Sequence, residues 1–112
     1  MRVATLMLPN FDNDGRAIPE VHTALQDNLL DAFGGYSQLP AVGAWRDPQT
    51  GRVYRDSNTQ YAIAMDDTPG NVAALRNVAM RAGVAAEQLA VMVTLPNGNV
   101  EFLETQQPAM AA

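Results

Sequence analysis

Gly43-Ala44-Trp45-Arg46-Asp47-Pro48-Gln49-Thr50-Gly51-Arg52-Val53-Tyr54-Arg55-Asp56 reads as a β-hairpin. Pro48 after Asp47 presets the first φ of a turn, and Gly51 can take the left-handed conformation where the second strand starts. Two strands joined this tightly must pair antiparallel. The elements on either side have to be arranged around that pair.

Upstream, Tyr36 to about Arg46 forms the hairpin's first strand, with Pro40 favouring a sheet edge or a bulge. Before it, Val21, Ala24, Leu25, Leu29, Ala32 and Phe33 follow one helical face. Pro19 fits the first turn of that helix and Gly34-Gly35 ends it. Residues 2–8 read as a strand, with Val3, Thr5 and Met7 on one face and Ala4, Leu6 and Leu8 on the other. Downstream, the hairpin's second strand runs from Arg52 to Met65. Asp67 or Thr68 then caps a second helix opened by Pro69, with Val72, Leu75, Val78, Ala79 and Ala82 buried and Gly83 closing it. Leu89 to Leu95 is a strand apolar on both faces. Asn97-Gly98 turns the chain into a last strand, Asn99 to Glu104. The tail from Gln106 to Ala112 has nothing to pack and is expected to fray.

The order is β-α-β-β-α-β with an added C-terminal strand. That is the ferredoxin-like α+β arrangement, an antiparallel sheet with two helices on one face, here a single domain over residues 1–105. In this topology the strands at 2–8 and 89–95 are neighbours inside the sheet, and both are apolar on both faces. Helices cover only one face, so something must cover the other. A second copy of the chain is the simplest candidate, giving a homodimer packed sheet to sheet or edge to edge, with a dimeric α+β barrel as one form.

Composition bounds the function. The 112 residues are 47% hydrophobic and 17% charged, as in a globular domain. A net charge of −5 argues against nucleic acid, whose phosphates call for a basic surface. No apolar run approaches the ~20 residues needed to cross a bilayer, and the first residues lack a secretory pattern. With no cysteine in the chain, these features lead us to expect a cytoplasmic protein without disulfides or thiolate metal sites. All seven basic residues are arginine, planar forks suited to carboxylate contacts.

Candidate chemistry is sparse. On the strand after the turn, alternation puts Val53, Arg55, Ser57, Thr59 and Tyr61 on one face and Tyr54, Asp56, Asn58 and Gln60 on the other. The ligand-binding candidates are Trp45 and Tyr61 for apolar contact, Arg46 and Arg55 for an anionic group, and Ser57 beside them. Trp45 joins them only if its register matches. A cross-strand ladder of aromatic and charged pairs explains the same residues without a ligand. His22, the sole histidine, is the candidate acid or base, with Asp14 to orient its ring. The loop Asn10-x-Asp12-x-Asp14-Gly15 opens like a calcium loop, but Val21 stands where the twelfth position needs a bidentate Glu, so no metal is expected. There is no phosphate-binding glycine loop and no nucleophile elbow, and no cofactor is implied.

The run Gly43-x-Trp45 through Gly51 to Arg55-Asp56-Ser57, following Phe33-Gly34-Gly35, resembles a family of small bacterial proteins of unknown function. They share a Gly-x-Trp hairpin, a turn glycine, and a following acidic residue and Ser. The family usually has Glu where this chain has Asp56. The resemblance implies the ferredoxin-like fold over residues 3–66 and no particular reaction. The expectation is therefore a homodimeric module that binds a small ligand or a protein partner, with neither nucleic acid nor membrane involved. An enzyme of the dimeric α+β-barrel kind using His22, or a purely structural accessory subunit, are the alternatives.

Overall fold

In the computed structural model, which describes residues 1–105, the hairpin anchors one side of a five-stranded sheet. The elements in chain order are β1 (Arg2–Pro9), α1 (Pro19–Phe33), β2 (Ser37–Arg46), β3 (Val53–Met65), α2 (Pro69–Ala85), β4 (Ala90–Thr94) and β5 (Val100–Glu104). The strand order is β2-β3-β1-β4-β5, every pair antiparallel. This is the ferredoxin-like α+β fold, with β5 covering the outer edge of β4. Pro40 sits on the edge strand β2, where its missing N–H breaks no ladder. The expected frayed tail, residues 106–112, lies outside the described residues.

Local chemistry sets the boundaries. Thr68 caps α2 by accepting the Asn71 N–H at 3.2 Å, and Pro69 occupies the first turn. Gly34 ends α1 in the left-handed region, φ 82°, with its N–H on the Leu30 carbonyl. Gly83 does not close α2. The helix runs on to Ala85, and the left-handed residue that ends it is Glu87, φ 58°. Gly83 serves packing instead: it is buried against β4, where a side chain would overlap Val91.

The core lies between the helices and one face of the sheet. Ala4, Leu6, Leu8, Ile63, Met65, Val91 and Val93 from the strands meet Val21, Leu25, Leu29, Leu75, Val78 and Ala79 from the helices. The alternate residues face away from the helices, and several stay exposed: Val3, Leu39, Trp45, Val100 and Phe102. Met7 and Met92 are only half-buried and belong to this open face.

The hairpin outruns the sheet. β1 pairs with β3 only as far as Pro9 opposite Asn58, and Asn10 adds a bond to the Ser57 carbonyl, so in the sheet residues 53–56 are paired with β2 alone. At the tip the Asp47 N–H bonds the Arg52 carbonyl, Gly51 takes φ 75°, and Arg46 donates back to the Gly51 carbonyl at 2.9 Å. Trp45 stacks on Tyr54 across the ribbon with ring centroids 4.9 Å apart, and Arg52 lies over the Tyr54 ring. No helix among the described residues is long and apolar enough to cross a membrane.

Candidate functional site

Register decides which candidates can meet. Trp45 pairs with Tyr54 and Ala44 with Arg55, so Trp45 lies on the open face of the sheet. Ser57 and Tyr61 lie on the helix face. Trp45 therefore cannot share a site with them, because strand alternation places the sheet between them. Arg55 is exposed on the distal ribbon, and Arg46 is spent on the turn. What the fold does gather is a polar cleft between the first half of α1 and the β2–β3 pair. It measures about 330 Å³ and is lined by Asn10, Pro19, His22, Thr23, Gln26, Gln38, Thr59 and Tyr61.

Tyr61 is the hub. Its ring is fully buried in the core and packs edge-on against Tyr36, while its hydroxyl points into the cleft wall. His22 follows Val21 on α1, which turns its ring toward the flank of the buried stripe. There its Nδ1 lies 2.7 Å from the Tyr61 hydroxyl and its Nε2 lies 2.8 Å from the Pro9 carbonyl oxygen. Gln26, one turn further along the same helix face, donates from Nε2 to the Tyr61 hydroxyl at 3.1 Å and to Gln38 Oε1 at 3.3 Å. Gln38 is there because it stands opposite Tyr61 in the β2–β3 register.

A carbonyl can only accept, so His22 carries a proton on Nε2, and in the neutral ring Nδ1 presents a lone pair. Tyr61 must then donate to His22 and accept from Gln26. Burial pushes the Tyr61 hydroxyl above the ordinary tyrosine range; the Gln26 N–H opposes that shift and Tyr36 adds to it.

Asp14 does not orient His22. Its carboxylate is exposed, 3.9 Å from Arg16, and both ring nitrogens of the histidine are already engaged by Pro9 and Tyr61. The loop's other acid, Asp12, closes the turn by accepting the N–H groups of Asp14 and Arg16, each at 2.9 Å. Those bonds, led by the one from Arg16, hold its carboxyl below the usual range against some desolvation. Asn10 leaves the loop altogether. It donates to Ser57 at 2.9 Å and accepts from Thr59 at 2.7 Å, tying the loop to the cleft floor.

Sequence reasoning missed Gln26, Gln38 and Asn10. Gln26 carried a usable signal, the four-residue spacing from His22. Gln38 needed the β2–β3 register, and the Pro9 carbonyl left no trace in the side-chain pattern.

No family model matches this sequence, and no curated protein matches it. Two solved structures share its fold. A phage SAM lyase in complex with S-methyl-5′-thioadenosine superposes with a TM-score of 0.68 at 12% identity, covering 94% of this chain and 90% of that one. A phage SAM lyase in the apo state gives 0.64 at 16% identity, covering 93% and 89%. The chain is thus similar to these lyases in fold along almost its whole length.

Proposed function

We propose that this chain binds a small ligand of the adenosine-thioether class in the cleft between α1 and the β2–β3 pair. The relay from Pro9 through His22, Tyr61 and Gln26 to Gln38 carries the proposal, because it locks polar groups in place around an open cleft. Beside the apolar Ala17 and Pro19, the lining side chains are amides, hydroxyls and an imidazole, with no carboxylate or guanidinium among them. A neutral molecule bearing hydroxyl and amine groups suits such a lining better than an anion does. The volume lies near the lower end of the roughly 300–1,000 Å³ of typical ligand pockets. Support for the ligand class comes from the fold shared with a phage SAM lyase that holds S-methyl-5′-thioadenosine. Titration calorimetry with that nucleoside tests the reading. Saturable binding by the wild type, weakened in Tyr61→Phe, is expected; absence of heat together with unmoved His22 imidazole resonances would refute it.

The assembly we propose is a homodimer formed over the open face. Its support is the exposure there of Val3, Leu39, Trp45, Val100 and Phe102, beside a groove of about 650 Å³ whose walls include Met7, Trp45, Met92 and Phe102. An enzymatic role for His22 as acid or base has less support than binding, since neither ring nitrogen is open to a substrate until one of its bonds breaks.

A further inference from the structure

We infer that Gln26 and Gln38 together form a recognition edge of fixed polarity that reads the amine-and-ring-nitrogen edge of adenine; this rests on the adenosine-class reading of the cleft. An amide can usually turn over by 180° and exchange its donor and acceptor ends. Here it cannot. With the imidazole neutral, the Pro9 carbonyl places the His22 proton on Nε2, the bare Nδ1 takes the Tyr61 proton, and the Tyr61 oxygen is left to accept. Only the NH₂ end of Gln26 satisfies that oxygen, and its second N–H fixes Gln38 with Oε1 inward. Gln26 Oε1 and Gln38 Nε2 then remain without partners among the described residues, an acceptor and a donor on adjoining amides lining the cleft.

Adenine presents the complementary pair on its Watson–Crick edge, the exocyclic N6–H donor beside the N1 acceptor. Its N6–H donates to Gln26 Oε1 while Gln38 Nε2 donates to the ring nitrogen. Hypoxanthine, the deaminated base, presents the pair reversed, a carbonyl acceptor beside an N1–H donor. To bind it with the sugar in the same place, both amides would have to turn, and the relay back to Pro9 forbids that for Gln26. The site thus prefers the amino base to its deaminated counterpart.

The experiment compares S-methyl-5′-thioadenosine with S-methyl-5′-thioinosine by calorimetry on wild type, Gln38→Leu and Gln38→Glu. Gln38 is exposed, so both variants should fold, which circular dichroism verifies. The expected result is wild-type preference for the adenosine form by about 10- to 100-fold, as for a bidentate amide contact. That preference should fall to within about threefold in Gln38→Leu. Gln38→Glu, which has acceptors only, should weaken the adenosine form more than the inosine form. Equal wild-type affinity for the two nucleosides, or a preference unchanged in Gln38→Leu, overturns the amide edge while leaving the cleft's ligand class standing. Binding of neither nucleoside overturns both.

Discussion

Gly83 of α2 lies directly against Val91 of β4, with no space between helix and strand for even one methyl group. A Cβ there would overlap the Val91 side chain and come within 2.7 Å of the Thr105 methyl. Helix propensity alone favours alanine over glycine by about 1 kcal/mol. Overpacking a close helix–sheet contact costs about 1–3 kcal/mol, so the clash wins. Gly83→Ala is expected to lower the urea midpoint, whereas Gly70→Ala, whose added methyl would meet nothing within 4 Å, should leave it level or raise it. A midpoint raised by Gly83→Ala would mean that α2 sits farther from β4.

Two bonds close α2 around a residue with a side chain. The Glu87 N–H reaches the Val84 carbonyl and the Gln88 N–H reaches the Gly83 carbonyl, while Glu87 itself adopts φ 58°. Glycine is the residue suited to that position, because the left-handed conformation crowds a Cβ by roughly 1–2 kcal/mol. Glu87→Gly should therefore stabilise the fold by up to about 1 kcal/mol, after the extra backbone entropy that glycine loses on folding. Chemical denaturation at neutral pH measures it, and a clear loss of stability would contradict the strain.

Arg76 on α2 holds Glu101 on β5 through two bonds, Nε at 3.0 Å and Nη2 at 2.7 Å. The hydrogen bonds from Arg76 lower the Glu101 carboxyl below the usual glutamate range against some desolvation, and the guanidinium charge adds a smaller lowering. A carboxyl whose folded pKa is depressed contributes stability that is present above its unfolded pKa. That contribution is lost as the pH falls through the folded value. The stability difference between wild type and Glu101→Gln should hold at neutral pH and shrink through the acid range. A difference independent of pH would show that the pair contributes nothing through charge.

The Tyr61 hydroxyl titrates the opposite way. Its pKa is raised, chiefly by burial, so the protonated form is the one the fold favours. Stability from this group is complete below the unfolded tyrosine pKa and is lost as the pH rises through the folded value. Tyr61→Phe should remove an absorbance step lying above the ordinary tyrosine range from an alkaline titration. It should also cost about 1–3 kcal/mol at neutral pH, because His22 Nδ1 loses its donor and Gln26 one acceptor. Retention of that step in the variant would assign it to another tyrosine.

Much of this architecture could be read from residues alone. Pro19, Gly34, Thr68 with Pro69, and Asn97-Gly98 mark ends that the backbone respects. Each acts within a few residues of itself, through a fixed φ, a cap or a left-handed turn. Gly83 misled because a glycine's local meaning, a helix end, is the same in sequence as its tertiary meaning, a close crossing. The cleft was half legible. Alternation placed Thr59 and Tyr61 together and separated them from Tyr54 and Asp56, but Trp45 could be assigned a face only once its partner Tyr54 was known. Asp14 looked like the natural partner for His22 by sequence distance. A backbone carbonyl took the role, and every residue type offers one.

Phe102 and Trp45, 68% and 55% exposed, stand on opposite strands of the open face and wall the same groove. A second copy laid over that face would bury both, along with Leu39 and Val100, and would shelter Met7 and Met92 beneath them. Either aromatic replaced by Glu places a charge in the contact without touching the core, so the monomer should fold as before. Sedimentation equilibrium at roughly tens of micromolar should show dimer for the wild type and monomer for Phe102→Glu, with dimer returning only at higher concentration. Trp45 supplies a second readout, since burial in the dimer shifts its emission to the blue and dilution should reverse the shift. A wild type that sediments as monomer throughout that range, with Trp45 emission independent of concentration, would leave the open face to a partner other than a second copy.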